Sequence, residues 1–377
     1  MIRKIIVLII FLVFVWLIWS SYGRNHPMPE PETYLTTIQN INPSDSLHKV
    51  IIGIQPFMIG SDYLAQPIFK QKIRGYFQAA FKEGFFEKES IVLLPEFIGT
   101  WLVIEGEKHK IAKEETLKDA MTTLVISNLA DFGLSTINTG EEEDKAASAI
   151  FRMKAKKMAV SYFLTFSELA KEYDTYIVAG SIVLPGPTVI DGQLFVDLNE
   201  NLRNVSFIFS PEGEIVGEPI IKAFPIVTEQ PFITGTDPSS YATFDLPIGK
   251  TAVLVCADSW FPDAYKTAKS EQAEIILVPS FCTGENTMKA LWQGYSGHKE
   301  PEFTDLKDIG EITEIQAWEK YALPGQIRST SAKIGMNVFL RGELWDLGTD
   351  GQPLVIQNGK LIPVESAEKG GIWALNF

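Results

Sequence analysis

Thr251-Ala-Val-Leu-Val-Cys256 runs into Ala257-Asp-Ser-Trp-Phe-Pro-Asp263, an apolar strand that delivers a thiol to a turn. Pro262, at a first helical position, then opens a helix expected over Asp263–Gln272. A strand-to-helix turn exposes a side chain and aims backbone N–H groups at it, as a covalent nucleophile requires. Local sequence leaves two readings of Cys256 open, that nucleophile and a buried structural thiol.

Working outward, two other apolar runs end in a reactive group. Ile91-Val-Leu-Leu-Pro-Glu96 ends in a carboxylate, and Glu218-Pro-Ile-Ile-Lys222 in an ammonium. A carboxylate at the mouth of an apolar strand is partly desolvated, which raises its pKa and suits it to act as a base. A lysine there can face a developing oxyanion, and Glu229, seven residues on, can hold it by a charge-assisted hydrogen bond. Singly, each also reads as a cap or a solvated surface residue.

Further apolar runs at Val50–Gln55, Tyr176–Leu184, Val205–Phe209, Ile275–Pro279 and Met336–Arg341 alternate with helical patterns, one of them capped by Asp62 and reaching about Phe86. Strands mixed with helices and hairpins predict an α/β sandwich around one continuous core. Two stretches read as insertions, 101–165 and the charged 296–325. In the first, Arg152, Lys154, Lys156 and Lys157 stand among Phe151, Tyr162, Phe163 and Phe166. Such a face rests on lipid or is the solvated side of a helix packed on the sandwich. Glu141-Glu-Glu-Asp144 reads as a solvated acidic face, and the glycosylation sequon at Asn204 lies in a strand context.

The 377-residue chain carries a formal charge of −14, which argues against a nucleic-acid partner and against charge-driven adhesion to anionic lipid. Its four histidines, His26, His48, His109 and His298, are too scattered to draw a zinc-like cluster, and no metal is expected. Cys256 and Cys282 form no disulfide framework, though a bond between them stays open.

The N-terminus carries a second signal. Ile5–Trp19 is unbroken apolar sequence, and Ser20, Ser21 and Tyr22 extend it to 18 residues, about 27 Å of helix. Arg3 and Lys4 precede it, Trp16, Trp19 and Tyr22 mark an interface, and Glu30 and Glu32 follow. That bias predicts a single-pass signal-anchor over 1–23, with the following domain on the extracytoplasmic side. A cleaved signal peptide ending near Ser21-Tyr-Gly23 is the other reading. Residues 24–48, with Pro27, Pro29, Pro31 and Pro43, read as an extended tether before a domain over 49–377.

In this order the three segments resemble the nitrilase superfamily of carbon–nitrogen hydrolases. Val50-Ile-Ile-Gly-Ile-Gln55, Leu94-Pro-Glu96, Leu169–Tyr173 with Tyr176–Ser181, Asn204–Phe209 with Pro211–Gly217, and Val255-Cys-Ala-Asp258 with Phe261-Pro-Asp263 and Ile275–Ser280 carry the likeness. The resemblance implies an α-β-β-α sandwich that pairs into dimers or higher homo-oligomers, without a cofactor. It also implies that Glu96 is the general base, Lys222 the transition-state stabiliser and Cys256 the nucleophile. Glu229 then falls at the family's second glutamate, and the Ala257 N–H at its oxyanion donor. Ala257 stands where the family often has an aromatic residue or glycine, and Trp260 where many members have arginine. These departures leave the substrate open.

The expected activity is hydrolysis of a non-peptide amide through a Cys256 thioester. One alternative passes the acyl group from a lipid or other donor to an amine. The family's lipoprotein acyltransferases, however, have several spanning helices, and one is readable here. The other alternative is an inactive binding or scaffold protein.

Overall fold

The computed structural model describes residues 2–24, 27–44, 47–296 and 301–377. His26 and His298 lie outside the described residues, as does part of the 296–325 stretch.

Two six-stranded sheets form the centre. The first runs in the order Leu35–Ile41, Gly370–Asn376, Lys49–Gln55, Glu89–Leu93, Tyr176–Val178, Ile208–Phe209. The second runs Thr243–Leu246, Gly249–Val253, Ile275–Ser280, Ile334–Phe339, Leu354–Gln357, Lys360–Ile362. In each, the inner strands pair parallel; the flanking pairings are antiparallel, except that Leu35–Ile41, at the edge of the first sheet, runs parallel to its neighbour.

Alternation along the strands explains the layers. On Lys49–Gln55, Val50, Ile52 and Ile54 pack with the helices α2 (Gln66–Lys82) and α5 (Lys145–Tyr173), while Ile51 joins the core between the sheets. Gly53 is needed there, because a Cβ would come within 2.3 Å of Met336 Sδ on the facing sheet. Helical residues such as Ala317, Trp318 and Tyr321 cover the far side of the second sheet. Both faces of the inner strands of both sheets are therefore buried, which gives the α-β-β-α sandwich the sequence predicts.

Several local expectations change. The run Tyr176–Leu184 splits into two strands in different sheets, Tyr176–Val178 and Ile182–Pro185. The turn between them needs Gly180, at φ +65°, where a Cβ would fall 2.0 Å from Pro95 O. Leu35–Ile41, within the stretch read as a tether, is an edge strand paired parallel with Gly370–Asn376. Asp62 caps no long helix: it accepts from Ile59 N at 2.9 Å and pairs with buried Lys72 at 3.1 Å, and α2 begins at Gln66 with Pro67 in its first turn. Pro262 opens a short 3-10 turn, Pro262–Tyr265, and only Lys266–Ser270 beyond it is α-helical.

The acidic run is not simply solvated. Glu142 pairs with Arg152, and Asp144 caps α5 by accepting from Ala147 N at 2.9 Å. The basic face of α5 is largely spoken for, which removes Arg152 and Lys154 from any lipid contact. Arg152 is buried and also donates to Leu198 O and Glu200 O, while Lys154 reaches Glu107 at 2.6 Å.

At the N-terminus, α1 (Ile2–Ser21) is long and apolar enough to cross a membrane, and its apolar window is not buried against the domain. Beside it lies the bent pair α3 (Leu117–Ser127) and α4 (Leu129–Ile137), which turns by 96° at Asn128.

Candidate active site

The strands Glu89–Leu93 and Gly249–Val253 belong to opposite sheets, and the short strand Ile220–Ile221 to a third, three-stranded one. Glu96, Lys222 and Cys256 follow these strands within three residues and meet in one buried cluster. Lys222 Nζ donates to Glu96 Oε1 at 2.8 Å and to Glu229 Oε2 at 2.7 Å. The Cys256 thiol lies within interaction range of the Glu96 carboxylate and feels the Lys222 charge. Its Sγ is 3.6 Å from Phe281 O. All four side chains are buried.

Two backbone positions in the left-handed region flank this cluster. Cys256 has φ +50° and Phe97, next to Glu96, has φ +61°. Such geometry is costly for a residue with a Cβ and persists only where the surroundings impose it. At Cys256 the chain leaves the strand and enters the 3-10 turn Cys256–Trp260. The Ala257 N–H therefore belongs to the first turn, beside the thiol. At Phe97 the N–H is fixed by Ser181 Oγ at 2.9 Å. The Phe97 ring packs edge-on against Phe281 at 5.6 Å, walling the cluster.

The charges are unequal in number. Two carboxylates share one ammonium in a water-poor setting. Burial, reinforced by Glu229 and opposed by Lys222, pushes Glu96 up to about 7. Burial alone would lower Lys222, but Glu229 and Glu96 outweigh it and hold the ammonium well above its usual range. Burial, with Glu96 beside it, raises the Cys256 thiol well above normal, so the resting sulfur is a neutral thiol beside a carboxylate that can take its proton.

Two residues of this arrangement escape a sequence reading. Asn204, which the sequence offers only as a sequon and as the start of the Asn204–Phe209 segment, is fully buried, and its Nδ2 donates to Glu96 Oε1 at 2.8 Å and Glu229 Oε1 at 3.0 Å. Asp258, two residues past the thiol, accepts from Ala223 N (3.0 Å), Phe224 N (2.9 Å), Val255 N (3.2 Å) and the Tyr241 hydroxyl. It ties the Lys222 segment to the Cys256 turn, and burial lifts its own pKa to about 6. The one signal for Asp258 was its place in Val255-Cys-Ala-Asp258. Asn204 had its place at the start of Asn204–Phe209, but no role could be read there, because only the fold brings its strand against Glu96.

Trp260 lies under the turn within an aromatic cluster, 5.3 Å from Trp318, 5.8 Å from Tyr295 and 6.1 Å from Trp292 and Tyr321. Cys282 is a free thiol like Cys256, and burial pushes it up to about 12. Among the described residues no group of three or more His, Cys, Asp or Glu side chains could hold a metal ion.

A four-layer sandwich with a buried thiol, carboxylate and ammonium at its strand ends defines the nitrilase class of folds. The carbon–nitrogen hydrolase family model matches residues 69–298, well over half of the chain. The chain belongs to that family, within the nitrilase superfamily. A curated relative, "Probable hydrolase YhcX" of Bacillus subtilis (strain 168), is 28% identical over 134 residues. That match spans 36% of this chain and only 22% of the relative's length.

Among solved structures, the chain is similar to a Glu-to-Gln mutant of an amidase from Nesterenkonia sp. AN1, which carries the acetamide moiety of fluoroacetamide covalently added at its active-site cysteine. The TM-score is 0.51 at 14% identity, over 89% of this chain and 92% of that one. A Cys-to-Ala mutant of that amidase, in complex with butyramide, matches equally, with a TM-score of 0.51 at 14% identity over the same shares of the two chains. At that identity the likeness concerns the fold.

Proposed function

We propose that the protein hydrolyses a small non-peptide amide through a thioester on Cys256. The observation that carries this is the buried contact of Glu96, Lys222 and Cys256, with Glu229 and Asn204 holding the first two. Glu96 takes the thiol proton as Sγ attacks the amide carbon. The oxyanion that forms is held by Lys222 Nζ and the Ala257 N–H. As the C–N bond breaks, Glu96 passes its proton to the departing amine, leaving the thioester. Glu96 then deprotonates a water that attacks this carbonyl, and the acid leaves as the thiol is restored.

The test uses fluoroacetamide together with a panel of short aliphatic amides. Thiol attack on its CH2 expels fluoride and leaves an acetamide group on sulfur, read by intact mass and mapped to Cys256. A Cys256→Ala chain that still hydrolyses the preferred amide overturns the reading.

The same reading makes α1 a single membrane span. Arg3 and Lys4 lie on the cytoplasmic side, the catalytic domain lies outside, and the domain forms a homodimer or higher homo-oligomer. What supports the span is its length, its exposed apolar surface and the flanking charge bias. Protease digestion of intact cells removes the domain if it lies outside and spares it if it lies within.

A further inference from the structure

The bent pair α3–α4 has an apolar surface that the catalytic reading does not use. Between Met121 and Ile137 the only charged residue is Asp131. No residue of α4 is buried, and Leu134 and Ile137 are 65% and 76% exposed, with Ile126 and Leu129 also open. An apolar stretch of this kind in water signals a surface that something covers.

What covers it follows from its attachment to α1. Trp16 Nε1 donates to Ile126 O at 2.8 Å, so the end of α3 lies beside α1, not below it. Trp16 precedes the end of α1 at Ser21 by five residues, about 7.5 Å along the axis. The joint is fixed farther down. Arg24 donates to Asn128 Oδ1 at 3.0 Å and to Ser127 O at 3.3 Å, and pairs with buried Glu107 at 3.0 Å. Lys108 Nζ sits 3.0 Å from the Trp19 ring centroid. The break between the helices does not leave Asn128 idle, since its Nδ2 donates to Leu124 O and Glu107. That matters wherever water is scarce.

We propose that α3–α4 is an interfacial membrane element, seated in the leaflet that α1 leaves, with Ile126, Leu129, Leu134 and Ile137 at the headgroup–acyl boundary. The depth fixed by Trp16 agrees with the roughly 5–10 Å to which interfacial helices sink. The attraction is apolar, because a chain of charge −14 gains nothing from anionic lipid. The catalytic domain then rests on the bilayer and does not swing on a tether. This rests on the reading of α1 as a membrane span.

The experiment places a nitroxide at Leu134→Cys or Ile137→Cys in the full chain, with Cys256→Ser and Cys282→Ser, reconstituted in phosphatidylcholine vesicles. Both positions are exposed, so the label leaves the core intact. Leu12→Cys in α1 and Leu306→Cys on a remote exposed turn are the references. At 134 and 137, collisions with oxygen should exceed those with an aqueous nickel chelate several-fold, as at 12, with the reverse at 306. If 134 and 137 behave like 306 while 12 is in lipid, the proposal fails and the α1 span stands. If 12 is also in water, both fail. Spin–spin broadening at 134 or 137 that vanishes on dilution with unlabelled chain identifies a second copy as the cover and overturns the proposal.

Discussion

Two charge clusters, each built on a buried carboxylate, do opposite things. At the strand ends, Glu96 and Glu229 share one ammonium, Lys222. Beside α1, one carboxylate, Glu107, receives two cations, Arg24 and Lys154, at 3.0 and 2.6 Å. The first cluster is short of positive charge, which helps lift the Glu96 carboxyl to about 7, next to a thiol. The second is matched from both sides and latches a helix end to the domain. Both carboxylates, Glu96 and Glu107, are buried, so the count of charges around each, added to burial, separates the reactive cluster from the structural one.

The most direct challenge to that contrast is Glu96→Gln. It should lower kcat/KM on the order of 10³-fold, with the thermal midpoint changed far less. Glu107→Gln should do the reverse. It leaves Arg24 and Lys154, both half-buried, without their shared carboxylate at a cost of about 1–3 kcal/mol, read as a drop in Tm with the rate per folded molecule retained. A loss of turnover matching that of Glu96→Gln would break the comparison.

The pH profile sharpens it. Glu96 must be ionised to act as base, so kcat/KM should rise with pH through about 7 and fall about tenfold per unit below. Glu229→Gln evens the charge count at the site, so the acid limb should move to lower pH while kcat falls by about tenfold. An unmoved limb would separate the shift from Glu229. The smallest effect is expected for Asn204→Ala. It removes a hydrogen bond to the ionised Glu96, so the limb should move up in pH with a few-fold loss of kcat.

Much of this was legible along the chain because strand ends leave a local signature. Apolar runs closing on Glu96, Lys222 and Cys256 need no knowledge of neighbours, and period-two alternation marks a sheet wherever it lies. The Gly180 kink was hidden, since it depends on how near Pro95 O comes. Leu35–Ile41 was hidden too, because its partner, Gly370–Asn376, lies at the other end of the sequence. Asn204 and the Glu142–Arg152 pair follow the same rule: a polar residue shows its purpose only through what it touches.

The sequence by itself determined the family, the sandwich, the three reactive strand ends and an apolar N-terminal helix, all consequences of residue order and periodicity. Tertiary structure alone decided that two carboxylates must share one lysine, and that Asn204 binds both. It also decided that Arg24 and Trp16 hold α1 against the apolar α3–α4 pair. Those facts are distances between residues far apart in the chain. Electrostatics in a dry interior depends on such distances, and sequence spacing does not encode them.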